Sequence, residues 1–266
     1  MRNTPIDLVD DAPRDVLPIG TDYAMGEVLV PHRHRRAQLL YGATGVMHVE
    51  TDDGSWVVPT HRAVWIPPET VHQVTMYGVS TCSLYIEPVA APWGPATCEV
   101  VTVSPLARQL LLEAVDLPVE YDEHGRDGAL VRLLLFEVSR MTPMPLHVPL
   151  PSDRALLAMC RAFLDEPDAH ASPVTWAAAL HVSLRTFNRR FGAQTGLTFD
   201  RWRQRACVLA ALPRLAAGES VTRVAGALGY ESPAAFSTMF RRVLDASPQE
   251  YLGTGARPSR LGAVTS

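Results

Sequence analysis

The sequence contains no lysine: all 24 of its basic residues are arginine. Cysteine is also scarce, with four residues among 266, and no two of them have the C-x-x-C spacing. This scarcity argues against a disulfide-stapled module, a thiolate zinc site and a dithiol redox motif. Scattered cysteines in a chain of this size are typical of a reducing cytosol.

Long apolar runs are missing as well. No run approaches the ~20 residues that span a bilayer, and residues 1–11 lack the apolar core of a signal peptide. We therefore expect no membrane partner and a cytoplasmic protein, associated with the nucleoid in a bacterial cell.

The charge is divided unevenly along the chain. Residues 1–150 contain 10 arginines and 19 acidic residues, whereas residues 151–266 contain 14 arginines and 9 acidic residues. The first part therefore has a net charge of −9 and the second a net charge of +5. An acidic half joined to a basic half indicates that only the second half meets a polyanion.

Residues 23–88 have the pattern of short strands separated by turns. They are rich in Val, Ile, Thr, Tyr and Trp, and Asp53-Gly54 between two extended runs is a strong hairpin signal. The pattern predicts an all-β barrel or double-sheet jelly roll. The predicted strands are Gln38–Ala43, Val46–Asp52, Trp56–Val58, Ala63–Ile66, Gln73–Met76, Thr81–Ile86 and Glu99–Val103.

Two amphipathic helices are predicted after the strands, one from about Leu106 to Val115 and one from about Leu130 to Val138. Ser104 and Pro105 can start the first helix. The apolar faces of these helices either cover the core of the barrel or form a seam between two copies in a homodimer.

The predicted fold class is a two-domain α+β protein, with an N-terminal β-barrel followed by helices and an all-α C-terminal domain. Four prolines between residues 142 and 151 indicate an extended, semi-rigid linker. The predicted organisation is a sensing and dimerisation domain (1–141), a linker (142–151), a helical domain (152–253) and a flexible tail (254–266).

The helical half contains an internal repeat with the pattern of a helix-turn-helix. Residues 177–191 resemble residues 225–240, with an offset of 48 before the turn and 49 after it. In each copy an alanine-rich helix ends at a turn, and Ser183 or Ser232 stands where a second helix begins. A phenylalanine pair at i, i+4 makes the inner face of each second helix.

The opposite faces of the second helices are candidate DNA-reading surfaces. Arginine can bond guanine through two N–H groups and asparagine can bond adenine, whereas small polar residues suit methyl, hydroxyl and phosphate contacts. The candidate DNA-binding residues are Arg185, Thr186, Asn188 and Arg189 in the first copy, and Ala234, Ser237, Thr238 and Arg241 in the second. A long helix predicted over Phe199–Leu212 would hold the two units one turn of DNA apart.

This tandem arrangement resembles the AraC/XylS transcriptional regulators, over roughly residues 154–251. The stretch from Val224 to Arg242, followed by Ser247-Pro248-Gln249-Glu250-Tyr251, is very similar to the signature of the family's second repeat. Two positions depart from the pattern. His181 stands where the first turn commonly has glycine, and Pro213 falls inside the linker helix, which it should kink or end.

A second resemblance lies in the acidic half. The spacing Gly26-(x)5-His32-x-His34-(x)3-Gln38-(x)6-Gly45 is similar to the first cupin motif, with Gln38 in place of the usual Glu. Pro67-x-Glu69-x-x-His72 resembles the second motif, with Glu69 in the place of Gly. The resemblance implies a cupin-type barrel, as in sensor domains of this regulator family.

Even spacing would put His32, His34 and Gln38 on one face of a strand, and His72 would face them from another strand. Three imidazoles can bind Zn²⁺, Ni²⁺ or Fe²⁺, although the loss of the Glu removes an anionic ligand. Alternatively, the histidines bind an effector without metal. The candidate effector-binding residues are His32, His34, Arg36, Gln38, Trp65 and His72, and the candidate metal ligands are His32, His34 and His72, with Gln38 as a fourth.

These observations favour a sequence-specific DNA-binding transcriptional regulator, not an enzyme, that is controlled by a small effector or metal in the barrel. Its expected partners are promoter DNA, the effector, a second copy of the chain and, for an activator, RNA polymerase. The alternatives are a cupin metalloenzyme with an appended helical domain, and an architectural DNA-binding protein without an effector. Gln38 counts against the enzyme, because oxygen-activating sites of this kind usually have a carboxylate beside three histidines.

Overall fold

The structure is a computed structural model that describes residues 1–91, 94–144, 146–244 and 246–253. The predicted tail, 254–266, lies outside the described residues. Within the described part of the chain, no helix has the length and apolar character needed to cross a membrane.

The N-terminal half is built on one eight-stranded antiparallel sheet. The strands are β1 (Val16–His32), β2 (Ala37–Gly42), β3 (Val46–Glu50), β4 (Gly54–Pro59), β5 (Arg62–Ile66), β6 (His72–Ile86), β7 (Glu99–Thr102) and β8 (His147–Pro149). Their order in the sheet is β7-β5-β2-β6-β3-β4-β8, and β1 also pairs with β6. The predicted barrel is therefore present, and Asp53-Gly54 lies at the predicted β3–β4 hairpin.

The long strand β6 organises the sheet. Its first half pairs with β3 and its second half with β2, while β1 runs along nearly its whole length. The sequence predicted two separate strands here, because Gly78 looks like a turn residue. Gly78 has a φ of 65° and stays within the strand. Most of β1 was not predicted, since its exposed second half has little apolar alternation.

The proline-rich segment joins the two ends of the sheet. The Met144 N–H donates to the Val100 carbonyl of β7 at 2.7 Å, and three residues further on β8 pairs with β4. The segment is extended, as predicted, but much of it is hydrogen-bonded within the barrel rather than spanning between domains. Proline is tolerated there because β8 is an edge strand.

Two helices follow β7, α1 (Pro105–Ala114) and α2 (Arg126–Val138). The Ser104 hydroxyl accepts the Ala107 N–H at 3.0 Å, which confirms the predicted start of α1. Their buried faces pack on the outside of β2 and β5, where Leu111 and Leu134 join a cluster with Leu39. The helices therefore cover one sheet face, as one of the two interpretations expects.

The C-terminal half is helical throughout its described residues. Its helices are α3 (Arg154–Asp165), α4 (Pro173–Ala179), α5 (Leu184–Thr195), α6 (Phe199–Ala216), α7 (Val221–Ala227), α8 (Pro233–Leu244) and α9 (Pro248–Gly253). Pairs α4–α5 and α7–α8 are the two predicted helix-turn-helix units. The hydroxyls of Ser183 and Ser232 accept the N–H groups of Thr186 and Ala235, so both predicted N-caps are present.

Helix α6 is longer than predicted. It runs through Pro213 and ends at Ala216, so of the two expected effects of this proline, a kink or an end, the end is wrong. Proline removes only the N–H that would bond the Leu209 carbonyl. Burial of neighbouring residues, Leu212 and Leu215 among them, outweighs that loss and keeps the last turn helical.

The turns of the two helix-turn-helix units each contain, at the equivalent position, one residue with a left-handed backbone conformation. His181 has a φ of 53° and Gly229 has a φ of 78°. The predicted strained conformation of His181 is thus present. A Cβ atom on Gly229 would lie 2.5 Å from Asp168 Oδ1, which is itself held by the His170 N–H.

We expect Gly229→Ala to lower the free energy of unfolding by ~1–3 kcal/mol, because alanine adds left-handed strain and a clash with Asp168. His181→Gly should leave stability unchanged or raise it by up to ~1 kcal/mol, since relief of strain is partly offset by the entropy of glycine. Urea unfolding of the three proteins measures both effects. Equal stability of Gly229→Ala and the parent would contradict this account of the turn.

Candidate nucleic-acid interface and imidazole cluster

The outer face of α5 presents its predicted residues to solvent. Arg185, Asn188 and Arg189 are exposed, and Thr186 lies at the edge of this face. Phe187 and Phe191 on the opposite face are fully buried, and their rings stand 5.4 Å apart. No ion pair occupies either arginine within the described residues. This surface can therefore offer two guanidinium groups and an amide to a polyanion.

The outer face of α8 is less polar. Ala234, Thr238 and Arg241 are exposed and Ser237 is half-buried, while Phe236 lies in the core. The Thr238 hydroxyl donates to the Ala234 carbonyl at 2.9 Å, so its methyl group and the lone pairs of its oxygen remain for a ligand. Arg241 lies 3.9 Å from Glu250, and both side chains are well exposed. Such a pair is weak and can be displaced by a phosphate.

A basic groove between α6 and α8 was not among the predicted sites. It has a volume of about 650 Å³, and its lining includes Arg201, Arg205 and Arg242. Burial and the charge of Arg201 lower the pKa of Arg205, which shows that these charges are crowded. The alternating arginines of residues 201–205 were visible in the sequence, but the contribution from α8 required the tertiary fold.

The three predicted histidines meet at the edge of the barrel. His32 ends β1, His34 lies in the connection to β2, and His72 begins β6. The ring centroids of His32 and His72 are 4.3 Å apart, and those of His34 and His72 are 5.1 Å apart. The prediction that they converge is confirmed. The argument from a shared strand face is wrong, because β1 stops at His32 and β2 starts at Ala37.

The imidazole cluster, His32, His34 and His72, has a uniform hydrogen-bond pattern. Each Nδ1 lies 2.6–2.8 Å from a backbone carbonyl two residues away. A carbonyl oxygen can only accept, so each Nδ1 carries a proton and each Nε2 is the acceptor of the neutral ring. Burial lowers the pKa of His34 and lowers that of His72 to about 4. These two rings are therefore neutral at pH 7.

Gln38 completes the cluster. Its Oε1 is 3.1 Å from His34 Nε2, and its Nε2 is 3.1 Å from both Ser83 Oγ and Tyr85 Oη. In the neutral tautomer, Oε1 and the imidazole Nε2 are both acceptors. Such a pair is stable only with a cation or proton between the two atoms, or with the amide turned to donate.

The donor atoms around the imidazole cluster decide whether it can bind a metal ion. Within the described parts of the chain, no three His, Cys, Asp or Glu side chains are grouped so that they could hold a metal ion as they stand. The tautomers nevertheless match those of metal-binding histidines, which commonly donate one ring N–H to a carbonyl and use the other nitrogen as ligand. The imidazole cluster and Gln38 thus offer ring nitrogens and one amide oxygen, without a carboxylate.

Arg36 does not belong to this site. Only 1% of its side chain is exposed, and its guanidinium contacts Asp10 at 2.9 Å and Glu87 at 2.8 Å. It also donates to backbone carbonyls of the N-terminal segment, including that of Arg14 at 2.8 Å. The prediction that Arg36 helps to bind an effector is therefore wrong. Its charge is already satisfied by these partners.

Trp65 is also separated from the histidines. Gln38 and Leu40 alternate along β2 with Leu39 and Tyr41, so the two sets lie on opposite faces of the sheet. Trp65 packs with Leu39 and Tyr41 against α1 and α2. The prediction that Trp65 shares an effector site with the histidines is therefore wrong.

Comparison with known proteins agrees with the architecture. A family model described as a helix-turn-helix domain matches residues 176–254. The HTH-type transcriptional regulator NimR of Escherichia coli (strain K12) is 33% identical over 235 residues, which are 88% of this chain and 84% of that protein. The chain belongs to the AraC/XylS family of transcriptional regulators. The regulator is therefore a DNA-binding protein rather than an enzyme, and the metalloenzyme alternative falls away.

Two solved structures are also similar to the regulator. ToxT from Vibrio cholerae is 10% identical to the regulator, covering 91% of this chain and 98% of that one with a TM-score of 0.39. The DNA-binding domain of AdpA, a global transcriptional factor solved with a target DNA, is 37% identical. The match covers 36% of this chain and 89% of the AdpA domain, with a TM-score of 0.33.

Proposed function

We propose that the regulator reads promoter DNA with α5 and α8 placed in successive major grooves on one face of the duplex. The observation that carries this proposal is the repeated unit with outward polar faces, one of which presents the exposed Arg185 and Arg189. Helix α5 supplies most of the base discrimination, because arginine and asparagine can form paired hydrogen bonds with base edges. Helix α8 adds methyl, hydroxyl and phosphate contacts.

Arg185→Ala and Arg189→Ala should each weaken specific binding by ~1–3 kcal/mol and relax the preference at one base pair. The measurement is a mobility-shift titration on DNA from upstream of the regulator's own gene, repeated with single base changes. Arg190→Ala is the matched control, because Arg190 is exposed on α5 but turned about 100° away from Arg189. A specific band that is absent, or insensitive to salt, would exclude the proposal.

We further propose that the imidazole cluster holds a divalent metal, Zn²⁺, Ni²⁺ or Fe²⁺, through Nε2 of its three rings, with Gln38 Oε1 as a fourth ligand. The support is the set of Nδ1 protons, which leaves the other nitrogens as acceptors. A bound metal would provide a charge at the junction of β1, β2 and β6. A small organic effector is the alternative occupant of this site.

His72→Ala should then lose most bound metal, and added Zn²⁺ should no longer raise the melting temperature, because ligands that bind only the folded state stabilise it. Elemental analysis and thermal unfolding of the full chain make the test. His124→Ala, which removes an exposed histidine elsewhere, should behave like the parent. A parent protein without metal, and without a shift in melting temperature, favours the organic effector instead.

We also propose that the exposed face of α1 and α2 forms the homodimer contact. Phe136 is 59% exposed, Leu133 is 43% exposed and Leu106 is 48% exposed, which is unusual for large apolar residues on adjacent helices. A dimer would place two DNA-binding halves on two half-sites.

Phe136→Glu should shift the regulator from dimer to monomer, because a carboxylate would be buried without a partner in the contact. Sedimentation velocity at several concentrations measures the change. Val89→Glu replaces another apolar residue, 95% exposed and outside α1 and α2, and should leave the dimer intact. A parent that is monomeric at all concentrations, or a dimer that survives Phe136→Glu, would refute this contact.

A further inference from the structure

A cleft separates the outer face of the sheet from the helical half. On the sheet side the wall includes His48 and Glu50 of β3 and Tyr77 of β6, and on the helical side Leu209 and Ala210 of α6. The cleft has a volume of about 370 Å³ and continues into a second space of about 380 Å³ that shares Glu50. These volumes fall in the range of pockets for small organic ligands.

The position of the cleft follows from strand register. Glu50 pairs with Ser55 and His48 pairs with Val57, so these four side chains point to the same side of β3 and β4. The residues that alternate with them on β3, Met47 and Val49, belong to the hydrophobic core inside the barrel. The cleft is therefore outside the barrel and separate from the imidazole cluster proposed as the metal site, although His72 borders its far end.

The charges around the cleft are unbalanced. Arg214 and Glu219 neutralise each other through two contacts of 2.8 and 2.9 Å. Within the described residues, Glu50 and Asp165 have no cationic partner. In the adjoining space Asp52 and Arg161 supply one charge of each sign. Glu50 accepts a hydrogen bond from Gln73 Nε2 at 3.3 Å, which leaves its charge uncompensated. Glu50 and Asp165 border both spaces, so the cleft is negative.

The remaining polar groups add acceptors rather than positive charge. His48 Nε2 is 2.6 Å from Ser55 Oγ, and burial lowers the pKa of this imidazole, which is therefore neutral at pH 7. Pro213 borders the cleft and has no N–H, so the Leu209 carbonyl lacks its usual helical donor. The rest of the lining is largely apolar, with Val57, Leu164 and Leu209. An occupant should thus combine an apolar body with a cationic N–H donor.

We infer that this cleft binds a small organic cation, an amine or amidine on an apolar or aromatic body, and that Glu50 and Asp165 select it over carboxylates. The inference rests on the proposed function in one respect: it takes this ligand to be an effector of the DNA-binding regulator. The far wall of the cleft is α6, the helix between the two DNA-reading units. Occupancy can therefore alter how that helix contacts the barrel.

The test uses three probes of the same shape: 3-phenylpropylamine, 3-phenylpropan-1-ol and 3-phenylpropanoate. Isothermal titration calorimetry on the full chain at pH 7, without DNA, should give a dissociation constant for the amine at least ten-fold below that for the acid. The alcohol should lie between them. Tighter or equal binding of the acid, or no binding of any probe, would overturn the inference.

The Glu50→Gln/Asp165→Asn double variant should weaken amine binding by about three- to ten-fold and leave alcohol binding unchanged. The expected loss is modest because solvent screens the charges of exposed carboxylates. Both changes preserve shape on exposed side chains, so folding is retained. Glu120→Gln, an exposed carboxylate outside the cleft, is the control. Unchanged amine affinity in the double variant would place the ligand elsewhere.

Ala210→Phe provides a steric test, since it fills the cleft and should weaken all three probes together. Binding of the amine at parental affinity to this variant, folded by circular dichroism, would contradict the site. A mobility-shift titration of the parent without probe is run in parallel. A regulator that binds the amine but not DNA would refute the DNA-reading proposal while upholding the cleft.

Discussion

The contact between α6 and the edge of the barrel is the constraint on which the rest of the structure depends. Trp202 is fully buried, and its Nε1 donates to the Pro149 carbonyl of β8 at 2.8 Å. The same strand pairs with β4, and Met144, three residues before it, donates to Val100 of β7. One indole therefore joins the helical half to the segment that completes the sheet. A buried tryptophan with a satisfied N–H contributes both a large apolar area and a fixed orientation.

Helix α6 is also the centre of the helical half. The ring of Trp202 lies 5.4 Å from that of Phe163 in α3 and 5.7 Å from that of Phe191 in α5. Trp176 of α4 packs against Phe199 at 4.8 Å. Since the cores of both helix-turn-helix units are built on this helix, their outer faces are held relative to one another and to the barrel.

The polar networks at the edge of the barrel show that burial determines whether a polar residue has a structural role. Arg36 is close in sequence to His32 and His34, but Asp10 and several carbonyls of the N-terminal segment, together with Glu87, satisfy its charge. A buried guanidinium without such partners would be costly, so this network is structural. The histidines each donate from Nδ1 to a backbone carbonyl.

Local patterns in the sequence determined the repeat, its serine caps, the left-handed turn at His181, the β3–β4 hairpin and the outward faces of α5 and α8. These features depend on residues a few positions apart, and backbone geometry alone relates such residues. The tertiary structure decided what distant segments do: the pairing of Met144 with β7 and of β8 with β4, the burial of Arg36, the separation of Trp65 from the histidines and the negative cleft beside α6. Those outcomes depend on which chain segments meet, and no periodicity or spacing within one segment specifies the charge or shape of its partner.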